Sequence, residues 1–489
     1  MELVTGIRSS RERPSLRTAG IAAVAAAVLL PGAALAAEAA HGAVPHIDGS
    51  TMGFMWALPF IGILLCIALM PLWTPHFWHD HFGKVSAFWG LSFVVPYALR
   101  DGIPAAAYQL THTALGEFIP FIVLLLALFT VAGGVRLKGH LVGTPEVNTA
   151  MLLFGTVVAS WMGTTGASML LIRPLIRALE NRKYKVHVIV FFIFLVSNIG
   201  GALTPLGDPP LFLGFLKGVD FFWPTTHVFM PTLVSAIILL VLFFVIDKVL
   251  YAKEGAPAPV VKGGEKLGID GGINILLLVG IVGAVLMSGL WKPGVSFTIY
   301  HVEIGLEGIV RDAALLAIAG LSWKLTTQEN RDANGFTWDA IIEVAKLFAG
   351  IFVAMIPSIA ILRAGTSGAL GSVVGAVTGP DGQPINAAYF WFTGALSSFL
   401  DNAPTYLVFF NTAGGNAQTL MTQFPGTLAA ISAGAVFMGA NSYIGNAPNF
   451  MVRSIAEERG VKMPSFFGYM LWSGGILIPL FILDTFLFF

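Results

Sequence analysis

Residues 197–218 read SNIGGALTPLGDPPLFLGFLKG, and the fold turns on their middle, Thr204-Pro205-Leu206-Gly207-Asp208-Pro209-Pro210. The stretch lies inside a long apolar region, yet it cannot continue as a helix. Pro210 disfavours the α conformation at Pro209, Pro209 does the same at Asp208, and both prolines lack an N–H. At membrane depth such a break persists only where it is buried in protein or lines a wet cavity. The break carries Asp208, and an ionisable residue inside a membrane segment is a candidate functional group. In isolation, a plain loop between two spans would read the same way.

A second copy separates the two readings. Residues 440–453 read ANSYIGNAPNFMVR, and setting Gly207 on Gly445, an offset of 238, pairs Asp208 with Asn446, Pro210 with Pro448, Phe212 with Phe450 and Thr204 with Ser442. Upstream, WMGTTGAS at 161–168 aligns with SSFLDNAP at 397–404, an offset of 236. Weaker pairs are Glu117 with Glu343 and Arg136 with Arg363, at offsets of 226 and 227. Broken segments at corresponding positions of two halves point to the binding site of a secondary transporter.

Composition agrees with a membrane setting. The 489 residues are 56% hydrophobic and 11% charged, with a mean hydropathy of +0.80. That describes an all-α polytopic membrane protein embedded in a lipid bilayer rather than a soluble domain. Net charge is zero, so nothing points to nucleic acid. Cys66 is the only cysteine, which excludes an intrachain disulfide. No nucleophile–base motif or phosphate loop suggests an enzyme, and no cofactor is implied.

Residues 1–36 read as a signal peptide. Arg8, Arg11, Arg13 and Arg17 form its basic region, residues 19–30 its apolar core, and Ala34-Leu35-Ala36 its cleavage pattern. An uncleaved first helix is the alternative. Residues 37–51 then form an external segment. Residues 52–252 form a first transmembrane half and 271–489 a second, joined by a cytoplasmic linker at 253–270. About 11 transmembrane helices are expected from apolar runs of roughly 20 residues. Early spans fall at 52–72, 84–104 and 117–135. Between the first two, a loop holds His76, His79 and His81, which could bind a metal or simply face solvent.

Basic residues set the orientation. Lys138 and Lys183 fall on the same side, so the segment between them must enter and leave through one face. It is expected to be a re-entrant hairpin at 147–180, followed by a broken helix at 187–218. The second half repeats this with a hairpin at 387–422 and a broken helix at 428–457. No Lys or Arg lies between Arg363 and Arg453, as a hairpin entering from outside requires. A short span at 312–323 is preceded by residues 299–310, partly in the interface. Glu343 and Lys346 are spaced to form a helix-surface pair.

This layout resembles the ion transporter superfamily, which includes sodium-coupled dicarboxylate carriers, citrate carriers, arsenite permeases and sodium/proton antiporters. SNIGGALTPLGDPP at 197–210, DNAPT at 401–405 and ANSYIGNAPNFMV at 440–452 are most similar to bacterial NhaD-type antiporters. Related sequences are also described as citrate transporters. The resemblance implies two inverted repeats, a homodimer in the bacterial inner membrane, and a transport part that moves as an elevator against a scaffold. The dicarboxylate carriers have Ser-Asn-Thr at each hairpin tip. Here the tips read TTGAS and DNAPT, which argues against a simple transfer of substrate.

The site candidates are Thr164, Thr165, Ser168, Asn198, Thr204, Gly207, Asp208, Asp401, Asn402, Thr405, Asn441, Ser442, Gly445 and Asn446. They offer hydroxyl, amide and backbone oxygens and two carboxylates, the ligands hard cations choose. Burial disfavours the charged form of a carboxylate, so Na⁺ and H⁺ could compete for Asp208 or Asp401. Glu117 and Glu343 are further proton-coupling candidates. A citrate-like or arsenite substrate would need positive charge, and the set contains no Arg, Lys or His. Exchange of Na⁺, or Li⁺, for H⁺ is therefore the first expectation and anion carriage the second.

Overall fold

The computed structural model describes residues 47–139, 141–255 and 268–489. The expected signal peptide and most of the linker lie outside the described residues. The chain is mostly helical, and seven helices are long and apolar enough to cross a membrane: Phe54–Trp73, Pro75–Asp101, Ile103–Ala132, Phe229–Lys253, Gly272–Leu290, Asp339–Arg363 and Phe466–Phe488.

Several expectations are corrected. The His76–His81 stretch is not a loop but the first turns of the helix Pro75–Asp101. The chain reverses at Thr74 alone (φ −137°, ψ 60°), and Pro75 at the first helical position has its φ set for the new helix. That helix ends at Gly102, whose φ of 93° suits glycine. The third span begins at Ile103, not near 117, and passes through one π turn at Ala114–Phe118. The expected short span at 312–323 is a 20-residue helix, Leu306–Leu325, about 30 Å long.

Two short strand pairs accompany the helices. Arg136–Lys138 pairs antiparallel with Gly268–Asp270. Ser296–Ile299 pairs with Val302–Gly305 through Tyr300 and His301, both at positive φ, as a two-residue hairpin turn requires. The expected interfacial stretch is therefore partly a β-hairpin.

The helices fall into two groups. In the first, Asp339–Arg363 crosses Pro75–Asp101 closely, and Leu306–Leu325 packs on Gly272–Leu290 and on the span that ends at Ala132. Ser86 Oγ donates to the carbonyl of Lys346 at 2.7 Å across the first of these crossings. Lys346 places Nζ 5.5 Å from the Phe82 ring, so the expected Glu343–Lys346 pair does not form.

The second group holds both hairpins. Pro145–Met162 and Thr164–Ala178 reverse at Gly163 (φ 82°). Their outer ends meet where Gly143 N–H donates to the carbonyl of Ala178 at 2.9 Å. Asn386–Phe399 and Asn402–Thr412 form the second hairpin, with Tyr389 packed edge-on against Phe409 near its base. Between and behind the hairpins run two interrupted helices. One joins Val186–Leu195 to Pro209–Leu216, the other Pro425–Phe437 to Ala447–Glu458. Every residue from 187 to 202 and from 427 to 443 is buried. A helix apolar all round belongs at the centre of a bundle, and these two occupy it. Phe229–Lys253 and Phe466–Phe488 flank this group.

Candidate functional site

The two interruptions share one local geometry. Asp208 (φ −141°, ψ 142°) and Asn446 (φ −151°, ψ 139°) are both extended, and each precedes a proline-containing half-helix. In the first, Ser160 Oγ donates to the carbonyl of Gly200 at 2.5 Å and accepts from Leu203 N–H at 3.1 Å, while Thr204 Oγ1 donates to the carbonyl of Ser160. In the second, Ser398 Oγ donates to the carbonyl of Met438 at 3.1 Å and accepts from Asn441 Nδ2 at 2.9 Å, while Ser442 Oγ donates to the carbonyl of Ser398. Ser160 and Ser398, Gly200 and Met438, Leu203 and Asn441, and Thr204 and Ser442 are each 238 apart.

One offset thus carries the hairpins and the breaks together. The hairpin offset of 236 is corrected to 238, which matches Thr164 with Asn402. The sequence similarity rests on the small residues Ala167 and Ala403, but the serine that clasps the neighbouring break sets the register. Close backbone approach explains the paired glycines. A Cβ on Gly207 would lie 2.2 Å from the carbonyl oxygen of Gly201, and one on Gly445 would lie 2.5 Å from that of Gly439.

Asp208 sits where everything meets, 1% exposed. Thr164 Oγ1 donates to its Oδ1 at 2.8 Å, and Asn446 Nδ2 donates to the same oxygen at 3.2 Å. Asn402 Nδ2 donates to Oδ2. Both halves therefore hold one carboxylate, with only neutral donors. Asp208 makes no side-chain capping bond to its own half-helix.

Asp401 is the capping residue. Its Oδ1 accepts from Ala403 N–H at 3.0 Å, and its carbonyl accepts from Thr405 Oγ1 at 3.0 Å. Among the described residues, no Lys, Arg or His bonds either carboxylate.

A relay of amides extends from Asp208. Asn446 Nδ2 also donates to the carbonyl of Ser197 at 3.0 Å and to Asn198 Oδ1 at 3.3 Å. Asn198 Nδ2 donates to Asn449 Oδ1 at 2.7 Å, and Asn449 Nδ2 reaches the carbonyls of Gly439 and Ser442 at 2.8 and 2.9 Å. Ser168 and Ser197 pair at 2.9 Å. Thr204 and Ser442 face backbone rather than the carboxylate, and Thr165 is half-buried beside the first tip. The carbonyl oxygens of the Asn402 and Asn441 side chains are buried without a partner.

Sequence reasoning missed Ser160, Ser197, Ser398 and Asn449. Ser160 and Ser398 were findable, because an offset of 238 pairs two serines there. Glu117 and Glu343 stand apart from this cluster. Glu117 pairs with Lys217, and Glu343 makes no ion pair among the described residues. There, too, no group of three His, Cys, Asp or Glu could hold a metal ion; His79 and His81 bond only their own helix.

Four helices begin at this point: Thr164–Ala178, Pro209–Leu216, Asn402–Thr412 and Ala447–Glu458. Helix N-termini favour negative charge, so they offset part of the cost of burying the Asp208 carboxyl, which has no cationic partner. Much of their donor capacity is already used or missing. Thr164 N–H donates to the carbonyl of Gly207 at 2.8 Å, and Asp401 takes Ala403 N–H. Pro209, Pro210, Pro404 and Pro448 have no N–H.

Seven long apolar helices and two helical hairpins gathered on crossing broken helices define a multi-pass membrane protein. The chain belongs to the family described as "Putative citrate transport", whose model matches residues 49–489. It is also similar to two uncharacterised transporters, from Mycobacterium bovis and Mycobacterium tuberculosis. Each is 24% identical over 330 residues, covering 66% of this chain and 72% of the relative. These likenesses point to a transporter.

Proposed function

We propose that the protein is a secondary active transporter that exchanges Na⁺, or Li⁺, for H⁺ at Asp208. The observation that carries this reading is the buried carboxylate held by neutral donors from both halves. A carboxylate without a fixed countercharge needs a cation or a proton when the site closes. The unpartnered oxygen of Asn402, whose amide nitrogen bonds Asp208, suits a hard cation. Protonation has a place as well. If the Asn402 amide turns over, its free oxygen faces Asp208 Oδ2 and accepts a proton carried there. Cation-loaded and proton-loaded states then differ by one amide rotation.

The matched halves are read as inverted repeats. The group holding the hairpins would move as an elevator against the other helices, in a homodimer within the bacterial inner membrane. Asp401 belongs to the site as the cap of the second hairpin arm, beside Asn402.

The family description favours a second reading, transport of a citrate-like carboxylate, and the four converging N-termini are compatible with it. The cation reading is preferred because the first-turn N–H groups that would cradle an anion are largely consumed or replaced by proline. Everted vesicles loaded with a pH-sensitive dye test the two. Dye dequenching on addition of Na⁺ or Li⁺ supports exchange. Uptake of labelled citrate with no Na⁺-driven proton movement would reject it.

A further inference from the structure

Neither Lys217 nor Arg363 touches Asp208, yet each fastens a helix that begins at the site. Pro209–Leu216 starts beside Asp208 and ends at Lys217, about 12 Å away. There Lys217 Nζ pairs with Glu117, both side chains only 19% and 14% exposed. Glu117 lies in the π turn of the third span, a local widening that recurs at functional positions.

The arm Asn402–Thr412 likewise starts at Asn402, which bonds Asp208. Near its far end, Asn411 Oδ1 accepts from Arg363 Nε at 2.7 Å. Arg363 closes the span Asp339–Arg363. The two site-bearing helices also pack on each other, where a Cβ on Gly214 would meet Tyr406 Oη at 2.3 Å. They therefore form one rigid pair, tied at two points to two helices of the other group. Both ties border one cavity of about 520 Å³, lined also by His112, Met355 and Ile359.

We infer that Glu117–Lys217 and Arg363–Asn411 are a paired latch that positions the Asp208 and Asn402 helices and holds this cavity in its present form. Lys217 and Arg363 are positioning residues, since neither touches Asp208. This inference rests on the alternating-access reading above. Any movement of the hairpin group past the first group must part both ties, whichever ion is carried.

The test uses the full chain in lipid nanodiscs with Cys66→Ser and a reporter, Ile359→Cys, on the cavity wall. Labelling by a hydrophilic maleimide reads opening. Lys217→Gln, and separately Asn411→Leu, should speed labelling roughly two- to fivefold, the range a half-buried pair supports. The charge exchange Glu117→Lys with Lys217→Glu should return the rate towards that of the parent. A purely structural pair would lower thermal stability without changing the labelling rate, and that outcome overturns the latch. So does a charge exchange that folds but fails to restore the rate. Glu117→Gln repeats the measurement from the other partner if Lys217→Gln does not fold. Labelling needs no transported ion, so failure of Na⁺/H⁺ exchange in vesicles rejects the ion reading and leaves this result standing.

Discussion

Replacing Asp208 by Asn removes the charge and keeps the shape, and the structure says what each change should do. Oδ1 of the new amide can still accept from Thr164 and Asn446, which now reach Asp208 Oδ1 at 2.8 and 3.2 Å. Its NH₂ would face Asn402 Nδ2, a donor against a donor. Rotation of the Asn402 amide resolves this, because its oxygen is free. Folding stability should therefore change little. Without the rotation, one buried unsatisfied donor would cost about 1–3 kcal/mol.

Cation binding should change far more. A unit charge about 4 Å from a monovalent cation contributes about 4 kcal/mol at an effective dielectric constant of 20, or roughly three orders of magnitude in affinity. Na⁺-driven proton movement in everted vesicles should be lost, while the detergent-purified protein elutes and melts as the parent does. Full exchange by Asp208→Asn would refute the assignment, since an amide cannot release a proton in this range.

Three further outcomes follow from the same geometry. Gly207→Ala and Gly445→Ala should each destabilise by roughly 1–3 kcal/mol or more, because backbone lies 2.2 and 2.5 Å from the new Cβ; Gly53→Ala, with nothing within 4 Å, is the control in thermal melts. Arg182→Gln should cost about 3–5 kcal/mol, because buried Arg182 bonds Asp247 Oδ1 at 2.5 Å and the carbonyl of Gly143 at 2.7 Å, fastening the base of the first hairpin; a melt within a degree of the parent would show that His187 and Asn148 suffice to hold Asp247. In a Cys66→Ser background, Thr165→Cys and Asp401→Cys should label from opposite faces of the membrane, and labelling of both from one face alone would remove the inverted-repeat reading.

The breaks were legible in the sequence because proline and glycine leave few backbone choices. Pro209, Pro210 and Pro448 fall in the first turn of a new half-helix, where a missing N–H costs nothing, and Gly207 and Gly445 mark backbone contacts that no side chain can enter. The hairpin register was not legible, since Ala167 and Ala403 are too small to specify a neighbour, whereas the Ser160 and Ser398 hydroxyls clasp backbone that is distant in sequence. The helix Pro75–Asp101 was hidden by its polar start. His76, His79, Asp80 and His81 read as a loop by composition, although Pro75 favours a helix start. The roles of the two carboxylates were also closed to sequence. Asp208 precedes two prolines and Asp401 precedes Asn-Ala-Pro, so either could cap a helix. Only the tertiary crossing turns Asp208 inward to three donors and leaves Asp401 as the cap.

The halves match in backbone and in their clasping hydroxyls, but their centres differ by one atom type. Asp208 is a carboxylate, and its counterpart Asn446 is an amide that donates to it. Two amides would leave nothing to titrate. Two carboxylates at about 3 Å could not both ionise, so one would hold a proton and weaken cation binding. One of each keeps a single charge available to both halves. If that shared position is what matters, the charge should tolerate being moved across it. In Asp208→Asn with Asn446→Asp, the new amide at 208 keeps Asn402 as donor to its oxygen, and its NH₂, at the former Oδ1 position, can donate to the new carboxylate while the Thr164 hydroxyl turns to accept. Asn198 must then turn its amide so that NH₂ rather than oxygen faces position 446. The double variant should recover a measurable part of the Na⁺-driven proton movement that Asp208→Asn loses. Recovery no greater than in Asp208→Asn alone, in protein that folds and melts normally, would mean that the charge must sit at 208 itself. The Thr164 and Asn402 contacts, rather than the crossing, would then define the site.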